Sequence, residues 1–394
     1  MSKFDVAAIQ HYLQEQNLDG WLIFDFRGQN HIAAAFFEMR KDALLTRRWF
    51  YFIPKSGEPA LLVHKIERTN FPNSPRKLET YVGWQELKIK LGAILAGCRV
   101  IAMEYSPHCA IPYVACVDAG TIEMVTSLGV EVATSANLVQ YFQSRWTEDQ
   151  VQTHVRAVKN LDRIKNDAFA LIRDRIKSKT AITEYDVQLF ILKEFEKLNM
   201  TTDEPPIVAV NANASNPHYA PSAARFSPIK KGDTVLIDLF SKEKTAKAIF
   251  GDITWMGFVG ETVPQKQQEV FQILVNARES ALQLLADAAA QGKTIQGWQV
   301  DIQVRDLIKQ AGYGDFFFHR TGHSLDTNLH GNGVNIDSLE TQDQREIIPG
   351  VGFTIEPGIY LEDFGMRTEI NVCYSEQGPR VFAPRQNDVL PLLK

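Results

Sequence analysis

Apolar residues recur along the chain with two different spacings. Strands are predicted for the apolar runs WLIFDF, RVIAMEY and VEVATS and for a hairpin formed by LLTRRWFYFI and PALLVHKIE. Helical spacing predicts helices over residues 6–16, 84–97 and 111–128. Residues 1–145 are therefore expected to form an α/β domain with its own core.

A second domain is expected over residues 146–394. Thr147 and Gln150 form a potential capping box that opens a long helix, and Thr183 opens another. A strand-rich segment follows, then two further helices, and then a final group of strands. These further helices are predicted over 264–291 and 296–311. The repeated order predicts two related halves, forming an α+β domain in which helices cover an antiparallel sheet.

The composition restricts the classes of partner. The chain has 394 residues, of which 45% are hydrophobic and 23% charged, and its net charge is −5. This charge predicts no nucleic-acid partner, and no apolar run approaches the ~20 residues that span a bilayer. The four cysteines lack a CxxC pair, and the N-terminal residues mix charged and apolar positions, unlike a secretory signal. A cytoplasmic location with reduced thiols is therefore expected.

Four acidic residues interrupt apolar or β-rich segments of the second domain. Asp238 and Asp252 lie in VLIDLF and KAIFGDITWMGF, and Glu356 and Glu369 lie in FTIEPGIYL and MRTEINVCY. His323 lies between these two candidate hairpins. Most acidic residues are solvated surface groups, but burying four unpaired carboxylates would be costly, and their charges would repel. Two divalent cations would balance the four charges, and the sequence favours this alternative.

The order of these residues is similar to that of the pita-bread metallopeptidases, especially Xaa-Pro aminopeptidases and Xaa-Pro dipeptidases (prolidases). The resemblance covers roughly residues 147–394, and the segments FTIEPGIY and RTE are its most specific parts. Residues 1–145 resemble the creatinase-like domain that precedes the catalytic domain in those enzymes. The resemblance implies five metal ligands, which are Asp238, Asp252, His323, Glu356 and Glu369.

The resemblance implies a pair of divalent ions bridged by Asp252 and Glu369. Asp238 would complete the ligands of one ion, and His323 and Glu356 those of the other. Oxygen-rich ligation with one imidazole suits Mn²⁺, Co²⁺, Fe²⁺ or Zn²⁺, and Mn²⁺ is expected first. Glu356 is implied as the residue that carries the proton of the attacking water.

Three further histidines and one arginine acquire candidate roles from the resemblance. His218 and His330 are implied as catalytic residues that contact the substrate or its tetrahedral intermediate, and His319 as a substrate-binding residue. A lone histidine is more often structural or solvated, so these roles depend on the five ligands. Arg367 has two alternatives, a buried counter-ion of the acidic cluster or an anchor for the substrate carboxylate.

Several positions depart from the pattern of the family. Ser324-Leu325-Asp326 replaces the common Gly-Ile-Gly, Trp255 replaces a frequent Arg, Gly331 follows His330 in place of an acid, and Asn371 replaces a frequent Asp. None of these residues is an implied metal ligand. The departures therefore bear on the substrate and not on the capacity for hydrolysis.

The function expected from the resemblance is hydrolysis of the bond between an N-terminal residue and proline in short peptides. The alternatives are hydrolysis of another C–N bond on the same scaffold and a binding module without catalysis. Relatives of the binding kind typically lose metal ligands, whereas all five are present here. The resemblance also implies a homodimer or dimer-based assembly, in which the N-terminal domain limits the length of the substrate.

Overall fold

The computed structural model describes residues 5–34, 36, 43–71 and 77–394. The chain divides into two compact units, Met1–Gln143 and Ser144–Lys394. Within the described ranges, no helix is both long enough and apolar enough to cross a membrane.

A six-stranded sheet forms the centre of the first unit. Its strands are β1 (Gly20–Phe26), β2 (Arg48–Pro54), β3 (Ala60–His64), β4 (Lys77–Tyr81), β5 (Val100–Met103) and β6 (Glu131–Thr134). They are arranged in the order β4-β3-β2-β1-β5-β6. The helices are α1 (Val6–Glu15), α2 (His31–Ala34), α3 (Trp84–Ile94), α4 (Ala119–Thr126) and α5 (Ala136–Val139).

Both faces of strand β1 are covered by apolar side chains. Trp21 and Ile23 belong to one buried cluster, and Leu22 and Phe24 belong to another. A run of apolar residues without alternation is typical of a strand that is buried on both faces. The strands and the hairpin predicted for this unit are confirmed.

The helix predicted over residues 111–128 is wrong in its first half. Helix α4 begins only at Ala119, after the Asp118 side chain accepts a hydrogen bond from the N–H of Thr121 at 2.9 Å. Two short 3-10 turns, each beginning with a proline, precede it. Because an extended aspartate is a strong N-cap, the helix starts there and the preceding residues form turns.

The second unit contains longer helices and three sheets. The helices are α6 (Glu148–Lys177), α7 (Glu184–Lys197), α8 (Gln265–Ala290) and α9 (Gly297–Gln310). The strands are β7 (Met200–Thr201), β8 (Ile207–Val210), β9 (Thr234–Glu243), β10 (Gly251–Phe258), β11 (Ser324–Leu325), β12 (Gly352–Ile355), β13 (Gly358–Tyr360), β14 (Gly365–Arg367), β15 (Ile370–Ser375), β16 (Gly378–Val381) and β17 (Leu390–Pro391). Pairing is antiparallel except between β10 and β17.

Two groups of helices cover the strands of this unit. Thr147 and Gln150 form the predicted capping box of α6, and Thr183 caps α7. Residues of α6 and α7 share a buried cluster with Ile237 and Ile253 of the β9–β10 hairpin. Residues of α8 and α9 share another cluster with strands β12 to β15. The predicted repeat of two helices followed by a hairpin is confirmed.

Candidate metal centre

The β9–β10 hairpin carries the first two acidic residues on one face. Asp238 lies opposite Thr254, and Asp252 lies opposite Phe240. Since side chains alternate along a strand, these polar residues point away from the face that Ile253 buries beneath the helices. The alternation of the sequence therefore directs both carboxylates to the same side of the sheet.

The second pair of acidic residues lies in a break between two short ladders. Strands β12 and β15 pair up to Ile355 and Ile370, and pairing resumes between β13 and β14 at Gly358 and Arg367. Glu356 and Glu369 occupy the gap, next to a proline that has no N–H to donate to a ladder. The hairpin is confirmed, but these acids lie between its strands and not within them.

The two hairpins bring carboxylates to His323. Ligand atoms of Asp252, His323 and Glu369 lie within 4.8 Å of one another. The Nε2 atom of His323 lies 3.4 Å from Asp252 Oδ2 and 3.5 Å from Glu356 Oε1. Its Nδ1 lies 3.1 Å from the carbonyl oxygen of Ser324, which fits an Nδ1–H that donates to this oxygen. The Nε2 lone pair then faces the carboxylates, as a metal-binding imidazole requires.

The carboxylates of this cluster are buried without enough donors. Asp238 is 7% exposed, Asp252 4% and Glu369 3%. Among the described residues, neither Asp238 Oδ1 nor Asp252 Oδ1 has a hydrogen-bond partner. Buried carboxylate oxygens of this kind are costly unless they bind a cation. The donor set, rich in oxygen with one imidazole, fits a pair of divalent metal ions.

The protonation of the cluster reflects burial and repulsion between the acids. Burial raises the pKa of Asp238, and burial together with the charge of Asp238 raises the pKa of Asp252 well above its usual range. Burial and the charge of Asp252 do the same to the pKa of Glu369. Burial also opposes ionisation of Glu356, but attraction by His323 and Arg367 outweighs it and lowers the pKa of Glu356. Glu356 is thus the acid that most readily stays ionised.

Arg367 binds the cluster from inside the protein. Its guanidinium forms an ion pair with Asp238 and donates to Thr254 Oγ1 at 3.0 Å and to Tyr360 Oη at 3.1 Å. Thr254 in turn donates to Glu369 Oε2 at 2.7 Å. These contacts agree with the counter-ion alternative for Arg367, because its charge is directed at acids of the chain itself.

His319 lies behind Tyr360, within the polar network of the centre. Its Nε2 is 2.7 Å from Tyr360 Oη, and its Nδ1 is 2.7 Å from the carbonyl oxygen of Arg320. Burial lowers the pKa of His319 to about 4, so the ring is neutral near pH 7. A neutral ring that donates through Nδ1 accepts the Tyr360 hydroxyl through Nε2. Both ring nitrogens are therefore engaged by the protein.

His330 and His218 are two exposed histidines, of which His330 lies beside His323. The ring of His330 lies 4.4 Å from the ring of His323, measured between centroids, and His330 is exposed. Partial burial and the neighbouring His323 lower the pKa of His330. His218 is also exposed, and it lies near His330. Both histidines are therefore accessible to a ligand in solution.

Sequence reasoning missed three hydroxyl groups in the polar network around the candidate ligands. Thr254 and Tyr360 bind Arg367, as described above. Thr354 Oγ1 accepts from the backbone N–H of His323 at 3.0 Å and donates to Glu356 Oε1 at 3.0 Å. Each threonine lies two residues from a candidate ligand, so the period of two in a strand was a signal that could have found them.

Two of the departures from the family pattern have structural explanations. The Asn371 side chain accepts from the N–H of Asp252 at 2.9 Å and donates to its carbonyl oxygen, which an ionised aspartate could not do. Trp255 points to the opposite face of β10, where Lys165 Nζ lies 3.3 Å from its ring centroid. Asn371 therefore fixes the backbone of a candidate ligand, whereas Trp255 belongs to the core.

Residues 156–376 match the sequence model of metallopeptidase family M24. This range covers more than half of the chain, and the chain belongs to this family. An Xaa-Pro dipeptidase of Lactobacillus helveticus is 28% identical over 228 residues, which are 56% of this chain and 55% of that protein. The chain therefore spans only about half the length of this relative. An Xaa-Pro dipeptidase of Pyrococcus furiosus is 28% identical over 279 residues, 67% of this chain and 75% of that protein.

Solved structures with the same fold cover nearly the whole chain. The dipeptidase PepE of Mycobacterium ulcerans has a TM-score of 0.71 at 19% identity, covering 98% of this chain and 96% of that one. A prolidase of Thermococcus sibiricus has a TM-score of 0.64 at 19% identity, covering 99% of both chains. The expected combination of an α/β domain and a pita-bread α+β domain is thereby confirmed.

Proposed function

We propose that this protein is a dinuclear metal-dependent peptidase that hydrolyses the bond between an N-terminal residue and proline in short peptides. The observation that carries the proposal is the cluster of buried acids around His323, in which two carboxylate oxygens have no donor among the described residues. Asp238, Asp252, His323, Glu356 and Glu369 would hold two divalent ions. Bound there, the ions would lower the pKa of a water molecule and polarise the scissile carbonyl.

Glu356 is the residue that we propose as the general base. Its carboxylate is partly buried, and the nearby charge of Arg367 favours its ionised form, so it is ionised at neutral pH. Thr354 donates to one of its oxygens at 3.0 Å, and the other lies 3.8 Å from Arg367 Nε, beyond hydrogen-bond distance, so it can accept from a water molecule. A proton accepted there could then pass to the leaving nitrogen, which for proline is an imide nitrogen without its own hydrogen.

His218 and His330 are proposed to contact the substrate. Both are exposed, His330 beside His323 and His218 near His330, and a neutral imidazole can donate a hydrogen bond to the carbonyl oxygen. Arg367 is proposed to act as a counter-ion of Asp238, and His319 to act through Tyr360. Specificity for proline is supported by the relatives that are named as Xaa-Pro dipeptidases.

The proposal extends to the metal, the location and the assembly. Mn²⁺ is proposed as the native ion because carboxylate ligands suit it, with Co²⁺, Zn²⁺ or Fe²⁺ as substitutes. All four cysteines are free thiols, which fits a cytoplasmic protein. A homodimer is proposed from the family resemblance, with residues 1–145 acting as a creatinase-like domain that limits substrate length. Light scattering of the purified protein measures the mass of the assembly.

Hydrolysis of defined peptides tests the function. Metal-free protein should be inactive, and adding Mn²⁺ or Co²⁺ should restore cleavage of Ala-Pro, with a metal content approaching two ions per chain. Equal rates on Ala-Ala would remove the claim of proline specificity, and faster cleavage of Ala-Pro-Ala would indicate an aminopeptidase. Metal binding without cleavage of these peptides or of a methionine-initiated peptide would favour another C–N bond or a binding module.

A further inference from the structure

The loop that carries His330 is held by a carboxylate from its own first residue. Asp326 is 6% exposed, and its two oxygens accept from the backbone N–H groups of Asn328 at 2.6 Å and Asn332 at 3.1 Å. These two amides lie on either side of His330 in the sequence. The carboxylate therefore closes a loop of seven residues, 326–332, around this histidine.

Other contacts attach the same loop to the body of the second unit. The carbonyl of Ser324 accepts from the N–H of Gly331 at 2.8 Å, and the Ser324 hydroxyl accepts from the N–H of Gly333 at 3.0 Å. Lys242, four residues after Asp238 on β9, donates to the carbonyl of Thr327. The loop is thus bound to strand β9, which carries Asp238, and to Ser324, which directly follows His323.

Gly331 is complementary in shape to Asp326. A Cβ atom added to Gly331 would lie 2.6 Å from Asp326 Oδ2 and 2.8 Å from Ser324 Oγ. The backbone of Gly331 is outside the left-handed region, so its conformation does not itself demand glycine. The side chains of residues 324 and 326 require glycine at 331 because they fill the space that a side chain would occupy.

We propose that Asp326 is a positioning residue for His330 and that Ser324, Asp326 and Gly331 form one interdependent set. This proposal rests on the proposed function, in which His330 contacts the substrate. It also explains why three departures from the family pattern occur together. The chain supplies a carboxylate from residue 326, where the resemblance implies glycine, and has glycine at 331, where the resemblance implies an acid.

Asp326→Asn is the first test, in protein loaded with Mn²⁺ and assayed on Ala-Pro. Asparagine keeps one acceptor oxygen and loses the other, so the loop loses one of its two clamping bonds. We expect kcat to fall about 10- to 100-fold, as for other small displacements of a reacting group, with the metal content unchanged. In a His330→Ala background the same substitution should change kcat less than twofold. If Asp326→Asn lowers kcat by the same factor in the wild type and in the His330→Ala background, the proposal is overturned. The effect of Asp326 would then not depend on His330, as expected of a merely structural residue.

The exchange of side chains between the two positions is a second and sharper test. Gly331→Asp alone should reduce kcat because its side chain meets Asp326. The double variant Asp326→Gly/Gly331→Asp should recover at least part of this loss, because a carboxylate returns to the space that has been emptied. If the fold loss of kcat in the double variant equals the product of the fold losses in the two single variants, residues 326 and 331 are not interdependent.

Asp337→Asn provides the matched control. Asp337 is also buried and accepts from the N–H groups of Leu339 and Glu340, both at 3.0 Å, but its turn carries no candidate catalytic histidine. This variant should lower thermal stability and leave kcat unchanged. Deuterium uptake of the peptide 324–333 should rise in Asp326→Asn and not in Asp337→Asn. If the wild-type protein does not cleave Ala-Pro, the proposed function has failed, and unchanged deuterium uptake would overturn the clamp separately.

Discussion

Two buried aspartates of the second unit differ in how their oxygens are satisfied. Asp301 on α9 is 0% exposed and accepts from the N–H of Thr321 at 2.9 Å, the N–H of Ser338 at 2.8 Å and Arg305 Nε at 2.6 Å. The hydroxyl groups of the same threonine and serine add two more bonds, each at 2.5 Å. Asp252 is 4% exposed, yet its Oδ1 has no partner among the described residues.

The difference shows that burial alone does not identify a ligand. Glu184 follows the pattern of Asp301, since it is 0% exposed and accepts from Val210, Asn213, Tyr219 and Ser227. Such acids are saturated by donors of the chain and hold its loops together. Asp238 and Asp252 of the candidate metal centre are also buried, but one oxygen of each has no donor among the described residues. A carboxylate that is buried and unsaturated is therefore the one that a cation would stabilise.

Asp252→Asn should produce the largest effect on activity. It removes a charge from the centre, so affinity for Mn²⁺ should fall by more than about 100-fold, beyond the usual effect of residues that merely support a ligand. The metal-free variant should unfold at the same temperature as the metal-free wild type or higher, because a repelling charge is lost. Isothermal titration with Mn²⁺ and calorimetric unfolding measure the two quantities.

Asp301→Asn is the matched control for this substitution. Asparagine cannot accept at both positions, so several bonds of Thr321 and Ser338 are lost, and unfolding should become easier by about 2–4 kcal/mol. The folded fraction should still bind Mn²⁺. If Asp301→Asn instead lost Mn²⁺ binding and kept its unfolding free energy, the contrast between Asp301 and Asp252 would be wrong.

Glu356→Gln should produce the next largest loss of activity. Glu356 is intermediate between the acids that are saturated by donors and those that are not, because Thr354 donates to one of its oxygens. Without a proton acceptor, kcat on Ala-Pro should fall by about 10²-fold, while Mn²⁺ binding is weakened less than in Asp252→Asn. Steady-state rates at saturating metal measure this effect. A kcat within threefold of the wild-type value would exclude Glu356 as the base.

Glu184→Gln should have a smaller effect, transmitted through His218. Its carboxylate holds the hydroxyl of Tyr219, the neighbour of His218, at 2.5 Å and the N–H of Ser227 at 2.6 Å. Losing one acceptor oxygen should cost about 1–3 kcal/mol of stability and reduce kcat/KM by no more than His218→Ala does. Asp186→Asn, an exposed residue of the same helix terminus, should leave kcat/KM unchanged.

The fold was largely predictable because its local signals agree with one another. The capping box at Thr147, the helix start at Thr183 and the spacing of apolar residues along α6 to α9 predict helices that the structure contains. The segment before Asp118 was not predictable in the same way, because its apolar residues fit a helix as well as they fit turns. Only the packing of that segment decides between these alternatives.

The candidate site was predictable in its residues but not in its connections. The four acids stand out because each interrupts an apolar or β-rich segment, and His323 stands out because it lies between the two candidate hairpins. The bonds of Asp326 to Asn328 and Asn332 have no comparable signal, since an aspartate in a polar loop is usually solvated. The position of the Glu356–Glu369 gap was also hidden, because the apolar residues on both sides continue the alternation of a single hairpin.

The stability of the metal-free protein should also depend on pH. Burial raises the pKa of Asp252 above its ordinary value of 3.8 in the folded state, so the folded chain binds more protons than the unfolded one. Its contribution to the unfolding free energy must then decline as pH rises above about 4, by at most about 1.4 kcal/mol per pH unit.

Buried His154 changes the unfolding free energy in the opposite direction as pH rises. Burial lowers its pKa from 6.5 to about 4, so its contribution is complete above pH 6.5 and is lost as pH falls toward 4. Comparing the metal-free wild type with Asp252→Asn removes this background, because both proteins contain His154. The stability advantage of the variant should widen between pH 4 and 7, and saturating Mn²⁺ should reverse it in favour of the wild type. A constant difference across this range would mean that Asp252 ionises normally, and the contrast with Asp301 would then lose its electrostatic basis.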